Sequence, residues 1–149
     1  MIRLSRLLVI CTGNICRSPV AAALLRARLP TLTIESAGLG ALVGHDVEPT
    51  ARELAEREGV NVGSHRARQV TPEMVQQADL VLVMSERQRL AVADLHPASI
   101  GKIFLLGHWL ERNGKGEEIP DPYRKSQEAF EYVHNQLKRA ADAWQKKLG

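Results

Sequence analysis

Cys11, Cys16, Arg17 and Ser18 are the residues whose types and spacing could do chemistry together, in the stretch Val9-Ile10-Cys11-Thr12-Gly13-Asn14-Ile15-Cys16-Arg17-Ser18-Pro19. Five residues separate Cys11 from Arg17, and Ser18 follows directly. A loop this tight turns its backbone N–H groups inward as an anion-binding concavity, and a helix starting behind it adds a positive dipole end. The loop residues Thr12, Gly13, Asn14, Ile15, Cys16 and Ser18 would then cradle an oxyanion the size of phosphate. Arg17 adds a planar fork able to bind two of its oxygens at once, which lysine could not do. Gly13 and Asn14 are residue types that accept the positive φ such a loop is expected to require. Helix N-termini and neighbouring cations lower a cysteine pKa from about 8.5 to as low as about 3.5, so Cys11 is expected as a thiolate. The Ser18 hydroxyl would hydrogen-bond that sulfur or cap the helix instead. A thiolate beneath a phosphoryl group is placed for in-line attack.

A lone cysteine is more often a small buried hydrophobe, so the elements around the loop decide the matter. Residues 6–10 form a short apolar run that reads as a buried strand, and Ser18-Pro19 opens a helix running to about Leu29. Residues 31–36 alternate like a strand, and 49–58 have apolar residues at helical spacing closed by Gly59. Thr71-Pro72-Glu73 opens a short helix. Residues 79–84, "DLVLVM", are the clearest buried strand, followed by a charged amphipathic helix over 85–95 and a fourth strand over 102–106. Residues 107–124 read as loop, and 126–148 as a long terminal helix. Strands separated by helical segments predict β-α-β units, hence a three-layer α/β fold: a doubly wound, four-stranded parallel sheet with helices on both faces. Ligands in such sheets bind beyond the carboxyl ends of the strands, where Cys11 sits.

The composition fits one domain spanning residues 1–149, with 44% hydrophobic and 25% charged residues. Aromatics make up only 4%, so the core must be aliphatic and alanine-rich. The basic start, residues 1–10, has an apolar run too short for a signal sequence or membrane span, and a cytoplasmic location follows as the expectation. Two cysteines make a meagre disulfide framework, and no companion pair at ligand spacing suggests zinc, which leaves packing or reactivity. The net charge of +3 favours anionic partners, but no aromatics interleave with the basic residues as single-strand binders require, so nucleic acid is not expected. Lys138, Arg139, Lys146 and Lys147 read as a solvated helical face.

The sequence resembles the low-molecular-weight protein tyrosine phosphatases. The resemblance rests on "CTGNICRS" from Cys11, "SAG" at Ser36 to Gly38, "HRARQ" at His65 to Gln69 and "DPY" at Asp121 to Tyr123, with the loop at the start of the chain. It implies Cys11 as nucleophile, Arg17 as transition-state clamp, and Asp121 as the general acid that protonates the leaving phenolate and then activates water. It further implies that Asn14, Ser36 and His65 hydrogen-bond one another behind the loop, that Tyr123 walls the substrate pocket, and that Cys16 can form a protective disulfide with Cys11. His45, His96, His108 and His134 are taken as ordinary surface histidines. No metal or cofactor is implied, since amides and Arg17 replace the cation, and the chain is expected to act as a monomer without being embedded in a membrane.

Departures from the eukaryotic members place the resemblance in a bacterial branch. "DPYR" stands where "DPYY" is common, and "SAGLGALVG" supplies no aromatic residue for the second pocket wall, leaving Leu39, Leu42 or Val43 to line it. With "GHWL" at Gly107 and "IPDPYRKS" at Ile119, these features resemble the phosphatases of tyrosine autokinases in capsule or exopolysaccharide export. A thiol-dependent arsenate reductase on the same fold is the competing enzyme. It relays oxidation to cysteines outside the loop, and here both lie inside. A noncatalytic phosphoprotein-binding module would have no use for Cys11 and Asp121.

Overall fold

A computed structural model describes residues 4–110 and 116–149, so Met1–Arg3 of the basic start and 111–115 of the 107–124 loop lie outside the described residues. Four strands, β1 (Arg6–Cys11), β2 (Thr33–Gly38), β3 (Leu80–Val83) and β4 (Ile103–Leu105), form one all-parallel sheet in the order β2-β1-β3-β4. Between and after them run α1 (Arg17–Arg28), α2 (Pro49–Arg57), α3 (Pro72–Gln77), α4 (Glu86–Leu95) and α5 (Gln127–Leu148).

The apolar runs of the central strands follow from burial on both sides of the sheet. Leu7, Val9, Leu80 and Leu82 enter a core shared with α1, α2 and α5, while Leu8, Ile10, Val81 and Val83 enter a second core under α3 and α4. The expected three layers are therefore present. Helix starts follow side-chain caps: Glu48 accepts from the Thr50 and Ala51 amides, Thr71 from Met74, Ser85 from Gln88 and Ser126 from Ala129. α1 alone among these five helices has no side-chain cap.

Two of the strands show the main differences from the sequence reading. β2 begins and ends two residues later than the 31–36 read from the sequence, because its register pairs Thr33 with Arg6 at one end and Ala37 and Gly38 with Ile10 and Cys11 at the other. β4 is shorter, because Lys102 and Leu106 belong to 3₁₀ turns on either side, Pro97–Lys102 and Leu106–Trp109.

His134 is not a surface histidine. It lies on the buried stripe of α5 between Phe130 and Leu137, only 5% exposed, with Nε2 3.3 Å from Glu58 Oε1 and Lys138 bonded to the same carboxylate at 2.7 Å. His45 and His108 are exposed, and His96 is half-buried against Ser99 Oγ at 2.6 Å. Burial pushes the His134 pKa below its ordinary value, outweighing the attraction of Glu58. The unfolded chain protonates this ring near about pH 6.5 and the folded chain only at lower pH. Acidification through that range thus loads protons onto the unfolded state and lowers stability. Melting temperature is expected to fall between pH 7 and pH 5 in thermal scans, with most of the fall removed in His134→Gln; an unchanged slope in that variant would exclude this histidine as the cause. The Glu58 carboxyl, held below the usual range chiefly by Lys138, titrates at lower pH and is separable from it.

Candidate active site

The Cys11 loop is shaped from outside by its own carbonyls. Cys11 O accepts from Leu39 N at 3.0 Å, Thr12 O from Gly40 N at 2.9 Å, Gly13 O from Leu42 N at 3.1 Å and Ile15 O from Glu48 N at 2.8 Å. Asn14 O lies 2.6 Å from His65 Nε2, and since a carbonyl only accepts, that nitrogen carries the proton. With all five carbonyls drawn outward, the amides between them are left to the concavity. Gly38 permits this close approach, because a Cβ there would lie 2.5 Å from Thr12 O.

Asn14 is fully buried at φ +59° and ties the loop to its surroundings. Its Nδ2 donates to Ser18 Oγ at 2.8 Å and to Ser36 Oγ at 2.9 Å, and its Oδ1 accepts from Arg68 N at 2.9 Å. The structure thus brings Asn14, Ser36 and His65 together. The positive φ expected of Gly13 as well falls on Asn14 alone within the loop, and space above Gly13 is ordinary, so glycine there is not required by a left-handed backbone. Ser18 resolves its two options in favour of the sulfur: its Oγ is 2.9 Å from Cys11 Sγ, and the N-terminus of α1 is left to the loop.

Arg17 is 4% exposed and reaches from the start of α1 to the segment ahead of α5. Its Nη1 donates to Ile119 O at 2.8 Å, its Nη2 approaches Thr12 Oγ1 at 3.4 Å and Asp121 Oδ2 at 3.7 Å, and its buried Nε has no hydrogen-bond partner in the protein. Asp121 is held in place by Tyr123 N, which donates to its Oδ1 at 3.0 Å. Cys11, Arg17, Asp121 and Tyr123 line one cleft with Ile15, Gly40 and Leu42. Leu39 is not in it: one residue beyond β2, it packs into the core under α3 and α4, and Val43 is exposed away from the lining.

The match to a family model decides which family the chain belongs to. Residues 6–149 match the model of the low molecular weight phosphotyrosine protein phosphatases. The chain is a member of that family. It is 45% identical over 147 residues to the low molecular weight protein-tyrosine-phosphatase Etp of Escherichia coli K12, covering 99% of this chain and 97% of Etp. It is 44% identical to Wzb of Salmonella typhimurium, over 97% of this chain and 94% of that one. The crystal structure of the tyrosine phosphatase Wzb from Escherichia coli K30 in complex with sulphate superposes with a TM-score of 0.93 at 44% identity, covering 99% of this chain and all of that one. The protein is accordingly a tyrosine-phosphatase-type enzyme.

Burial, reinforced by Cys11, holds the Cys16 thiol well above the ordinary range, so it stays protonated at neutral pH. Among the described residues no group of three or more histidine, cysteine or carboxylate side chains is gathered to hold a metal, and no helix is long and apolar enough to cross a membrane. Three residues with contacts at the site lie outside the sequence reading. Arg68 was present in the "HRARQ" signature but without a role; besides bonding Asn14, it donates to Ser36 O at 3.0 Å and pairs with Glu35. Ile119 acts through a carbonyl, for which side-chain patterns carry no signal. Gln88, on the first turn of α4, reaches Thr12 Oγ1 at 3.2 Å from 76 residues away.

Proposed function

We propose that this phosphatase hydrolyses phosphotyrosine in proteins through a phosphocysteine on Cys11, and that its substrate is a bacterial tyrosine autokinase controlling capsule or exopolysaccharide export. The observation that carries the reading is Arg17 Nε, a buried cationic donor with no protein partner beside a loop whose carbonyls all turn away. Such a donor is costly unless an anion meets it. The sulphate in the complex of the similar K30 Wzb is an oxyanion of the same geometry as phosphate.

The chemistry follows in two displacements. Loop amides and the Arg17 fork hold three phosphoryl oxygens, with the Cys11 thiolate in line and hydrogen-bonded by Ser18. The sulfur–phosphorus bond forms as the bond to the tyrosine oxygen breaks, and protonated Asp121 gives its proton to that oxygen. Asp121, now a carboxylate, takes a proton from water as the water attacks phosphorus; the P–S bond breaks and phosphate leaves. Tyr123 and Leu42 flank the position of the aryl ring. The amides and Arg17 supply the charge that a metal supplies in other phosphoryl transfers. The chain does this as one domain, as a cytoplasmic monomer.

The test is hydrolysis of phosphotyrosyl peptides from a tyrosine-rich kinase tail, with EDTA present, alongside phosphoseryl peptides of the same sequence. Acid quenching followed by mass spectrometry is expected to find phosphate on Cys11 during turnover of the phosphotyrosyl peptide only. Turnover without a phosphocysteine, or equal rates on both peptides, would overturn the reading.

A further inference from the structure

We propose that Gln88 is a positioning residue for the Arg17 clamp, closing a ring of hydrogen bonds that holds both terminal nitrogens of the guanidinium. The inference rests on the clamp role proposed for Arg17 above. Gln88 Nε2 donates to Thr12 Oγ1 at 3.2 Å, and Arg17 Nη2 approaches the same oxygen at 3.4 Å. Arg17 Nη1 donates to Ile119 O at 2.8 Å, Ile119 N to Met84 O at 2.9 Å, and Met84 N to Gln88 Oε1 at 2.8 Å. The ring is then complete. It joins the nucleophile loop, the end of β3, the start of α4 and the segment carrying Asp121, two residues beyond Ile119.

Gln88 suits the closing position because it can both donate and accept. Its amide oxygen satisfies the N–H of Met84, one residue past β3, while its NH₂ reaches across to the neighbouring strand's loop. Its own backbone is fixed, with Gln88 N donating to the Ser85 cap at 3.2 Å, and its side chain is buried. With two donors on Thr12 Oγ1, the Thr12 hydroxyl proton is left to point elsewhere, and Thr12 lines the catalytic cleft. The ring leaves Arg17 Nε free while fixing the plane of the fork. A planar donor that is fixed in advance costs no reorganisation when charge spreads over the equatorial oxygens, so the effect belongs to the transition state more than to ground-state binding.

Gln88→Glu keeps the acceptor for Met84 N and loses the donor to Thr12; Gln88→Met keeps the length and loses both. The variants would be assayed on p-nitrophenyl phosphate and with two inhibitors, orthovanadate, which adopts the five-coordinate geometry, and inorganic phosphate, which does not. Both variants are expected to lose about tenfold in kcat and in vanadate affinity, with KM and phosphate affinity within about threefold. In a Thr12→Val background, adding Gln88→Glu should cost little more, since the one bond it breaks, to Thr12 Oγ1, is already gone. Equal losses for vanadate and phosphate, no loss in either variant, or additive effects with Thr12→Val would each overturn the proposal. If native protein bound vanadate no more tightly than phosphate, the clamp role of Arg17 would fall first and the Gln88 proposal with it.

Discussion

Cys11→Ser is expected to abolish turnover of p-nitrophenyl phosphate and of phosphotyrosyl peptides, a loss of at least about 10⁴-fold, while phosphate still binds. The two halves of that expectation come from different parts of the site. Binding rests on the loop amides, on Arg17 and on the α1 terminus, none of which the substitution touches; the carbonyl bonds from Leu39, Gly40, Leu42, Glu48 and His65 that shape the loop stay in place. In the proposed mechanism the chemistry rests on the sulfur, because a serine hydroxyl in the same place is a far weaker nucleophile with no general base beside it: its nearest partner is another hydroxyl, that of Ser18. Stopped assays with quantified enzyme and equilibrium phosphate binding check both halves. Residual activity within tenfold of native would remove Cys11 as nucleophile, and loss of phosphate binding would show that the substitution had collapsed the loop.

How much of this was legible in the sequence depends on how local each feature is. The loop and the first turn of the helix behind it lie within a dozen residues, so type and spacing alone point to the loop. The strands were legible because two-sided burial makes them continuous apolar runs. Leu39 falls outside the cleft because β2 lies two residues later than read and ends at Gly38; Leu39 then shares parity with Ala37 and packs against the core under α3 and α4. His134 carried a signal that went unused, since it sits four residues after Phe130 and three before Leu137, inside the apolar stripe of α5. The hydrogen-bond ring through Arg17 had no sequence signal at all. Its links span 102 residues from Arg17 to Ile119 and 76 from Thr12 to Gln88, each a single contact that only the sheet order brings about.

Asp121→Asn is expected to separate the general-acid role proposed for Asp121 from the nucleophilic role proposed for Cys11. The asparagine retains an oxygen to accept from Tyr123 N, so the 121–123 turn keeps its shape, but it cannot carry a transferable proton. Loss of general acid catalysis costs about 10²–10⁴-fold, and the cost must depend on the leaving group. A phenolate of high pKa, as from tyrosine, needs the proton most; p-nitrophenolate leaves well without it. The variant is therefore expected to lose far more on phosphotyrosine than on p-nitrophenyl phosphate, and across a series of aryl phosphates its rate should fall steeply with leaving-group pKa where the native rate is nearly flat. Removing the carboxylate also removes the neighbour of Arg17 Nη2 at 3.7 Å, which frees the guanidinium for phosphate and leaves KM unchanged or lower. That direction matters, because a merely structural defect raises KM and slows every substrate alike. A uniform loss across the series would remove the proton from Asp121 and require another donor at the mouth of the cleft.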